Sequence, residues 1–126
     1  MKTPYSHDYF PPAPVIMVSL AAPEQAPQIG PEPALIDTGA DGTFVPTSFI
    51  EELDVPVIYS THVRSHLGEG LRRVAVHKVD ILCDAIRLPD VEVVSNDWDN
   101  EIILGRNVLN KVQLLLNGPK QFTELK

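Results

Sequence analysis

Ala34-Leu35-Ile36-Asp37-Thr38-Gly39-Ala40-Asp41-Gly42 is the stretch on which the reading of this chain turns. Three apolar residues run straight into a carboxylate, and the next five are small or turn-forming. Taken alone, Asp-Thr-Gly is far more often an ordinary turn than a reactive site, because all three residue types favour turns. The context changes those odds. The Asp follows the end of an apolar strand, so its carboxylate is expected at a buried turn. A buried carboxylate without hydrogen-bond partners or a shared proton is costly, which argues that this one has a use.

A second unit, Ile102-Ile103-Leu104-Gly105-Arg106-Asn107, stands late in the chain. Apolar residues followed by Gly are again weak by themselves. The two units in this order, one early and one late in 126 residues, form a much more specific pattern.

Outward from these units the chain reads as strands. Met1 to Pro14 is rich in Pro, Tyr and Ser, has no period, and is expected to be an N-terminal arm (1-14) ahead of one domain (15-126). Val15 to Leu20 reads as a first strand, and Ala21 to Pro33, with Pro23, Pro27, Gly30, Pro31 and Pro33, as a connection. After Asp37-Thr38-Gly39, Phe44 and Val45 resume a strand that Pro46 closes. Thr47 or Ser48 is expected to cap a short helical turn through Leu53. Val55 to Tyr59 reads as a further strand.

From Thr61 to Leu88 strand signals are punctuated at Gly68-Glu69-Gly70 and at Asp84-Ala85. Glycines with strand-like residues on both sides signal a hairpin. Val74 and Val76 share one phase, while Val79, Ile81 and Cys83 share the other. That change, near His77 and Lys78, predicts a bulge or a strand that passes from one layer to another. Val91 to Val94 continues the pattern, and Asn96 to Asn100 reads as an acidic surface loop. Ile102 to Leu104 is a buried strand, with Leu104, Val108, Leu109 and Val112 at helical spacing after it. Leu114 to Leu116 and Gln121 to Leu125 read as the last strands. The fold class is all-β with one or two short helices.

The segment Ala34 to Asp41 resembles the catalytic loop of the retroviral-type, pepsin-like peptidases and their bacterial relatives, and Ile103-Leu104-Gly105-Arg106-Asn107 resembles their second signature. The hairpin at Gly68 to Gly70 lies between the two, where that family carries its flap. The resemblance covers roughly residues 15 to 117 and implies a single-lobe, retropepsin-like closed β fold. It further implies that Asp37 is the catalytic carboxylate, that the Thr38 hydroxyl bonds across a dimer axis, and that Gly39 admits the substrate backbone. Ala40 and Asp41 would adjoin substrate, with Asp41 paired to Arg106. Gly68, Glu69 and Gly70 would form the flap tip. Leu104, Gly105, Arg106 and Asn107 would support the loop from beneath, the Gly allowing close passage.

Peptide hydrolysis of this type needs two carboxyls, one ionised and one protonated. Only one Asp-Thr-Gly occurs, and 126 residues do not hold two lobes of this size. The expectation is therefore a homodimer with one Asp37 from each copy, acting on extended peptide or protein substrates without a metal or cofactor. Two alternatives are a dimeric module of the same fold that binds peptide without cleaving, and a peptidase that processes only its own N-terminal arm. Glu69 favours the first alternative by placing a charge where the family's flap tip is apolar.

Composition limits other readings. Hydrophobic residues make up 44% and aromatics only 6%, so the core must rest on Val, Ile, Leu and Ala, the first two favouring strands. Ten Lys and Arg against seventeen Asp and Glu give a net charge of −7, which argues against nucleic acid as a partner. The apolar stretch Val15 to Ala22 is too short to span a bilayer and lacks a basic segment before it, so it is read as a strand in a cytoplasmic protein. The lone Cys83 fits a reducing compartment. His62 and His66 on a strand would stand about 13 Å apart, too far to share a metal. His77 and Cys83 would be about 20 Å apart, so Cys83 is expected to be a buried structural thiol. Trp98 is expected to cover the core in preference to rimming a cleft.

Overall fold

The computed structural model describes residues 1–64 and 70–126, and these form an all-β fold with two short helices. In chain order the elements are β1 (Lys2–Pro4), β2 (Val15–Ala21), β3 (Ile29–Ile36), β4 (Thr43–Pro46), α1 (Thr47–Leu53), β5 (Tyr59–Arg64), β6 (Leu71–Cys83), β7 (Ile86–Asn96), β8 (Ile102–Leu104), α2 (Arg106–Leu109), β9 (Leu114–Asn117) and β10 (Phe122–Leu125). Seven strands hydrogen-bond in the order β2-β3-β8-β4-β7-β6-β5. Because β2 also pairs with β6, the sheet closes on itself and β5 is left as a flanking strand. A separate three-stranded sheet, β1-β10-β9, gathers the two ends of the chain.

Closure depends on β6, whose thirteen residues pair with β7 and also with two further strands, β5 and β2. Leu71 to Val76 pair with β5, and Asp80 to Leu82 pair with β2. The expected change of side-chain phase is present. Val74 and Val76 join Val94 in a small cluster with Phe44, Val63 and Trp98 packed on it, while Val79, Ile81 and Cys83 belong to the main core. The irregularity in pairing with β7 falls between Val79 and Ile81, slightly after the expected position. The register with β7 is unbroken from Val76 to Val79, so the two sets lie on opposite faces of one strand and each face meets its own apolar cluster.

The main core holds Ile16, Val18, Leu20, Val45, Val93, Leu104 and Val108, each nearly or wholly removed from water. Asp80 is a charged group only 1% exposed. Its carboxylate accepts the N–H groups of Glu24 and Asp90 and pairs with Arg87, which ties the β2–β3 turn to the β6–β7 hairpin.

Several local expectations are corrected. The Pro-rich run before Ala34 is not wholly a connection, since β3 begins at Ile29. Proline is tolerated there because β8 pairs only with residues 34–36, which leaves the other edge of β3 free at Pro31 and Pro33. Gly30, at φ +111°, sits at the irregularity opposite Val18 to Leu20, and a Cβ on it would lie 2.7 Å from the Val18 carbonyl oxygen. Within the aperiodic 1–14 segment, residues 2–4 pair with β10. Val55 to Ile58 is not a strand; β5 starts at Tyr59. Helix α1 begins after Pro46 with no side-chain cap, and the Thr47 hydroxyl instead meets that of Ser95 at 2.8 Å. Among the described residues, no helix is long and apolar enough to cross a membrane.

Candidate active site

β3 and β8 run parallel, with Leu35 opposite Ile103 and Ile36 opposite Leu104. The ladder extends one step past the strand, where the Asp37 N–H donates to the Leu104 carbonyl at 3.1 Å. Asp37 is therefore positioned by backbone pairing at the end of a partly buried strand. Its Oδ1 accepts the Gly39 N–H at 2.9 Å, and its carbonyl accepts the Ala40 N–H at 3.2 Å. The loop is thus folded back on its own carboxylate. In one chain Asp37 is half-buried, and Thr38 and Gly39 are exposed, so the expected buried acid is corrected to one at the mouth of a cleft. The chain leaves the barrel as it turns, which carries these residues outward.

Gly105 explains how the loop is held. A Cβ there would lie 2.0 Å from the Gly42 carbonyl oxygen and 2.9 Å from that of Ala40, distances that no side chain could occupy. Glycine at 105 therefore lets the chain after β8 pass directly beneath the 40–42 segment. The next residue fastens the crossing. The Arg106 N–H donates to the Ala40 carbonyl at 2.8 Å, and its Nη1 donates to the Thr38 carbonyl at 2.8 Å. Its Nη2 bonds the Asp41 carboxylate, the pairing that the resemblance implied.

Thr43 completes this support and was not singled out in the sequence. Its buried hydroxyl donates to Asn107 Oδ1 at 2.7 Å and accepts the Gly105 N–H at 3.1 Å. Asn107 Nδ2 in turn donates to the Glu92 carbonyl at 2.9 Å. This chain of bonds links β4, the start of α2 and β7 beneath Asp37. Leu104, wholly buried, anchors the same crossing in the core.

Above the loop is a cleft of about 550 Å³. Its floor includes Asp37, Gly39, Ala40 and Asp41, and its far wall is the β5–β6 stem with Val63 and Arg72. Phe44, Val94, Trp98 and Ile103 line the apolar part. Trp98 both packs edge-on against Phe44, with centroids 5.7 Å apart, and lines the cleft, which revises the expectation that it mainly covers the core. Asn96 sets its position: the buried side chain accepts the Trp98 N–H at 3.1 Å and donates to Asp99 at 2.6 Å.

Of the expected flap tip, Gly68 and Glu69 lie outside the described residues, as does His66. Gly70, at φ +86°, precedes β6, and Arg64 faces Leu71 across the hairpin stem. His62 is exposed on the cleft wall. Cys83 is buried, and burial pushes its thiol up to about 11, the behaviour of an unreactive core thiol. His77 is also buried, its Nδ1 3.0 Å from the Val55 carbonyl oxygen.

A family model described as aspartyl protease matches residues 30–108, the span that runs from β3 through the Asp37 loop and cleft wall into α2. The chain belongs to the aspartyl protease family. Among solved structures, this aspartyl protease chain is similar to a retropepsin-like aspartic protease from Rickettsia conorii, with a TM-score of 0.67 and 12% identity over 99% of this chain and 88% of that one. It is also similar to the EIAV protease solved with the inhibitor HBY-793, at TM-score 0.55 and 20% identity over 86% and 93% of the two chains. The simian foamy virus (mac) protease gives TM-score 0.53 and 19% identity over 76% and 91%. At these identities the likeness establishes the retropepsin-like fold. No curated protein matches the chain.

Proposed function

We propose that this family member is an aspartic endopeptidase that works as a homodimer, with one Asp37 carboxyl from each subunit at the reacting bond. The observation that carries the reading is the placement of Asp37. It stands at the mouth of the cleft on a loop locked from below by Gly105, Arg106 and the Thr43–Asn107 bonds. Such locking suits an acid that must meet its twin within tight tolerance.

Two carboxyls about 3 Å apart cannot both ionise, so the pair holds one proton. The ionised member takes a proton from water, whose oxygen attacks the scissile carbonyl carbon while the protonated member donates to the carbonyl oxygen. Collapse of the tetrahedral adduct, with a proton delivered to nitrogen, breaks the C–N bond. The second acid comes from a second copy about a twofold axis. Exposure of Thr38 and Gly39 in one chain is consistent with a loop that a partner covers. In this reading the Thr38 hydroxyl bonds across the axis and Gly39 lets the substrate main chain approach. The substrate lies extended, as an added strand, and Gly68 to Gly70 close over it.

Replacing Asp37 with Asn is expected to abolish peptide cleavage and to leave the folded dimer intact by sedimentation and circular dichroism. Full activity in that variant overturns the reading. Tight peptide binding by the unaltered chain with no turnover between about pH 3 and pH 8, the span over which a carboxyl pair titrates, would assign it to non-cleaving binders.

A further inference from the structure

The cleft wall carries charge of the opposite sign to the molecule. The chain has a net charge of −7, yet Arg64 and Arg72, with the His62 imidazole beside them, all line the wall that faces the Asp37 loop. On the floor, Asp41 is matched by Arg106, which leaves Asp37 as the acid directed at a bound peptide.

Arg72 is held by two contacts. Its guanidinium lies over the face of Trp98, 5.0 Å from the ring centroid, and its Nη2 is 3.2 Å from an Asp97 carboxylate oxygen. Trp98 is itself fixed by Phe44 and by Asn96. A flat cation stacked on an immobilised ring has its donors aimed before any ligand arrives. Asp97 and Arg72 are 62% and 51% exposed, and an ion pair so open to water is weak enough to be exchanged. Val63, directly opposite Arg72 on β5, and Val94 and Phe44 supply apolar surface beside it.

We propose that Arg72, stacked on Trp98, is a specificity determinant that receives an acidic side chain of the substrate, with Asp97 occupying that place in the free protein. The subsite takes a Glu or Asp whose methylene groups lie on the apolar wall and whose carboxylate displaces Asp97 from the guanidinium. The inference rests on the peptide-cleft reading above and names the substrate class for it: extended peptides with an acidic residue near the scissile bond.

The test uses octapeptides of one sequence in which Glu or Gln is moved along the positions. Cleavage is measured with the unaltered protein. Binding is measured by fluorescence anisotropy with the Asp37→Asn protein, which does not depend on turnover. At one position Glu is expected to be favoured over Gln about tenfold, a preference that shrinks with added salt. Arg72→Gln should bring that ratio to about one, and Asp97→Asn should raise it by removing the competing carboxylate. A Glu preference that survives Arg72→Gln, or none at any position, overturns the inference. An Arg72-dependent preference in binding without cleavage supports it and removes the peptidase reading. Cleavage with no Glu preference does the reverse.

Discussion

The hydroxyl of Thr43 donates to Asn107 Oδ1 at 2.7 Å, joining two residues that are 64 positions apart at the point where β8 turns into α2. The same hydroxyl oxygen takes the Gly105 N–H. One small polar side chain therefore secures both the crossing strand and the start of the helix beneath the Asp37 loop. Thr43→Val keeps the shape but leaves the buried Gly105 N–H and the half-buried Asn107 amide oxygen without this partner, and is expected to cost about 1–3 kcal/mol. Thr43→Ser should recover most of the loss. Denaturant unfolding of the two variants checks this, and equal stability of Val and Thr at 43 contradicts it.

Gly105→Ala is expected to be the more severe change. Its added methyl would occupy the space of the Gly42 carbonyl, so either the loop or β8 must shift. A loss of about 2–4 kcal/mol is expected for overpacking against backbone. Peptide cleavage should fall further than stability alone explains, since the displaced segment carries Asp37. Unfolding midpoints and kcat/KM on the same samples separate the two effects.

Arg106→Lys should do the opposite, harming activity with little effect on stability. The Asp41 carboxylate is 92% exposed and Arg106 45%, so the ion pair contributes under about 1 kcal/mol. Lysine cannot reach the Thr38 carbonyl and the Asp41 carboxylate together as the forked guanidinium does. The expected readout is a lower kcat with a nearly unchanged unfolding midpoint. A large stability loss would show that Arg106 serves the fold more than the loop.

Asp80 sets a limit on acid tolerance. Burial pushes its carboxyl upward, but the N–H groups of Asp90 and Glu24 and the Arg87 guanidinium outweigh that and hold it below 3.8. Its folded value is thus lower than its unfolded one. The stabilisation is complete above the unfolded value and is lost as pH falls through the folded one. Asp80→Asn is therefore expected to be less stable at pH 7 by about 2 kcal/mol, a loss of charge-assisted bonds partly open to water at Arg87. The gap should narrow as the pH drops below 3.8. Urea unfolding of both proteins across that range measures it, and a gap independent of pH contradicts the assignment.

How far this was legible from sequence follows from where each signal is stored. Asp37 to Gly39 and Gly105 announce themselves because local backbone chemistry demands those residue types. The two phases of β6 were likewise readable, since burial imposes alternation along one strand. Thr43 was not, because a threonine in a strand is commonplace and its partners at 105 and 107 come into reach only after folding. The cleft wall was also hidden: Val63, Arg72 and Trp98 come from three separate segments, and only the pairing of β6 with both β5 and β7 brings them together. The strand at Ile29 was missed because Pro31 and Pro33 signal a loop, and nothing local tells that one edge of β3 is free of pairing there. Val55 to Ile58 misled in the other direction, a run broken by Pro56 that meets β6 only at its end, where the Ile58 N–H donates to the Val76 carbonyl.

In the proposed mechanism two copies of Asp37 act together. Unaltered and Asp37→Asn chains can be unfolded, mixed in equal amounts and refolded together, and cleavage of one peptide then measured. If each site needs an acid from both subunits, only about a quarter of random dimers carry two, and activity should fall to roughly that fraction of the all-Asp sample. Activity that falls in simple proportion to the share of unaltered chain, to about half, would mean that each chain cleaves alone and would contradict the account.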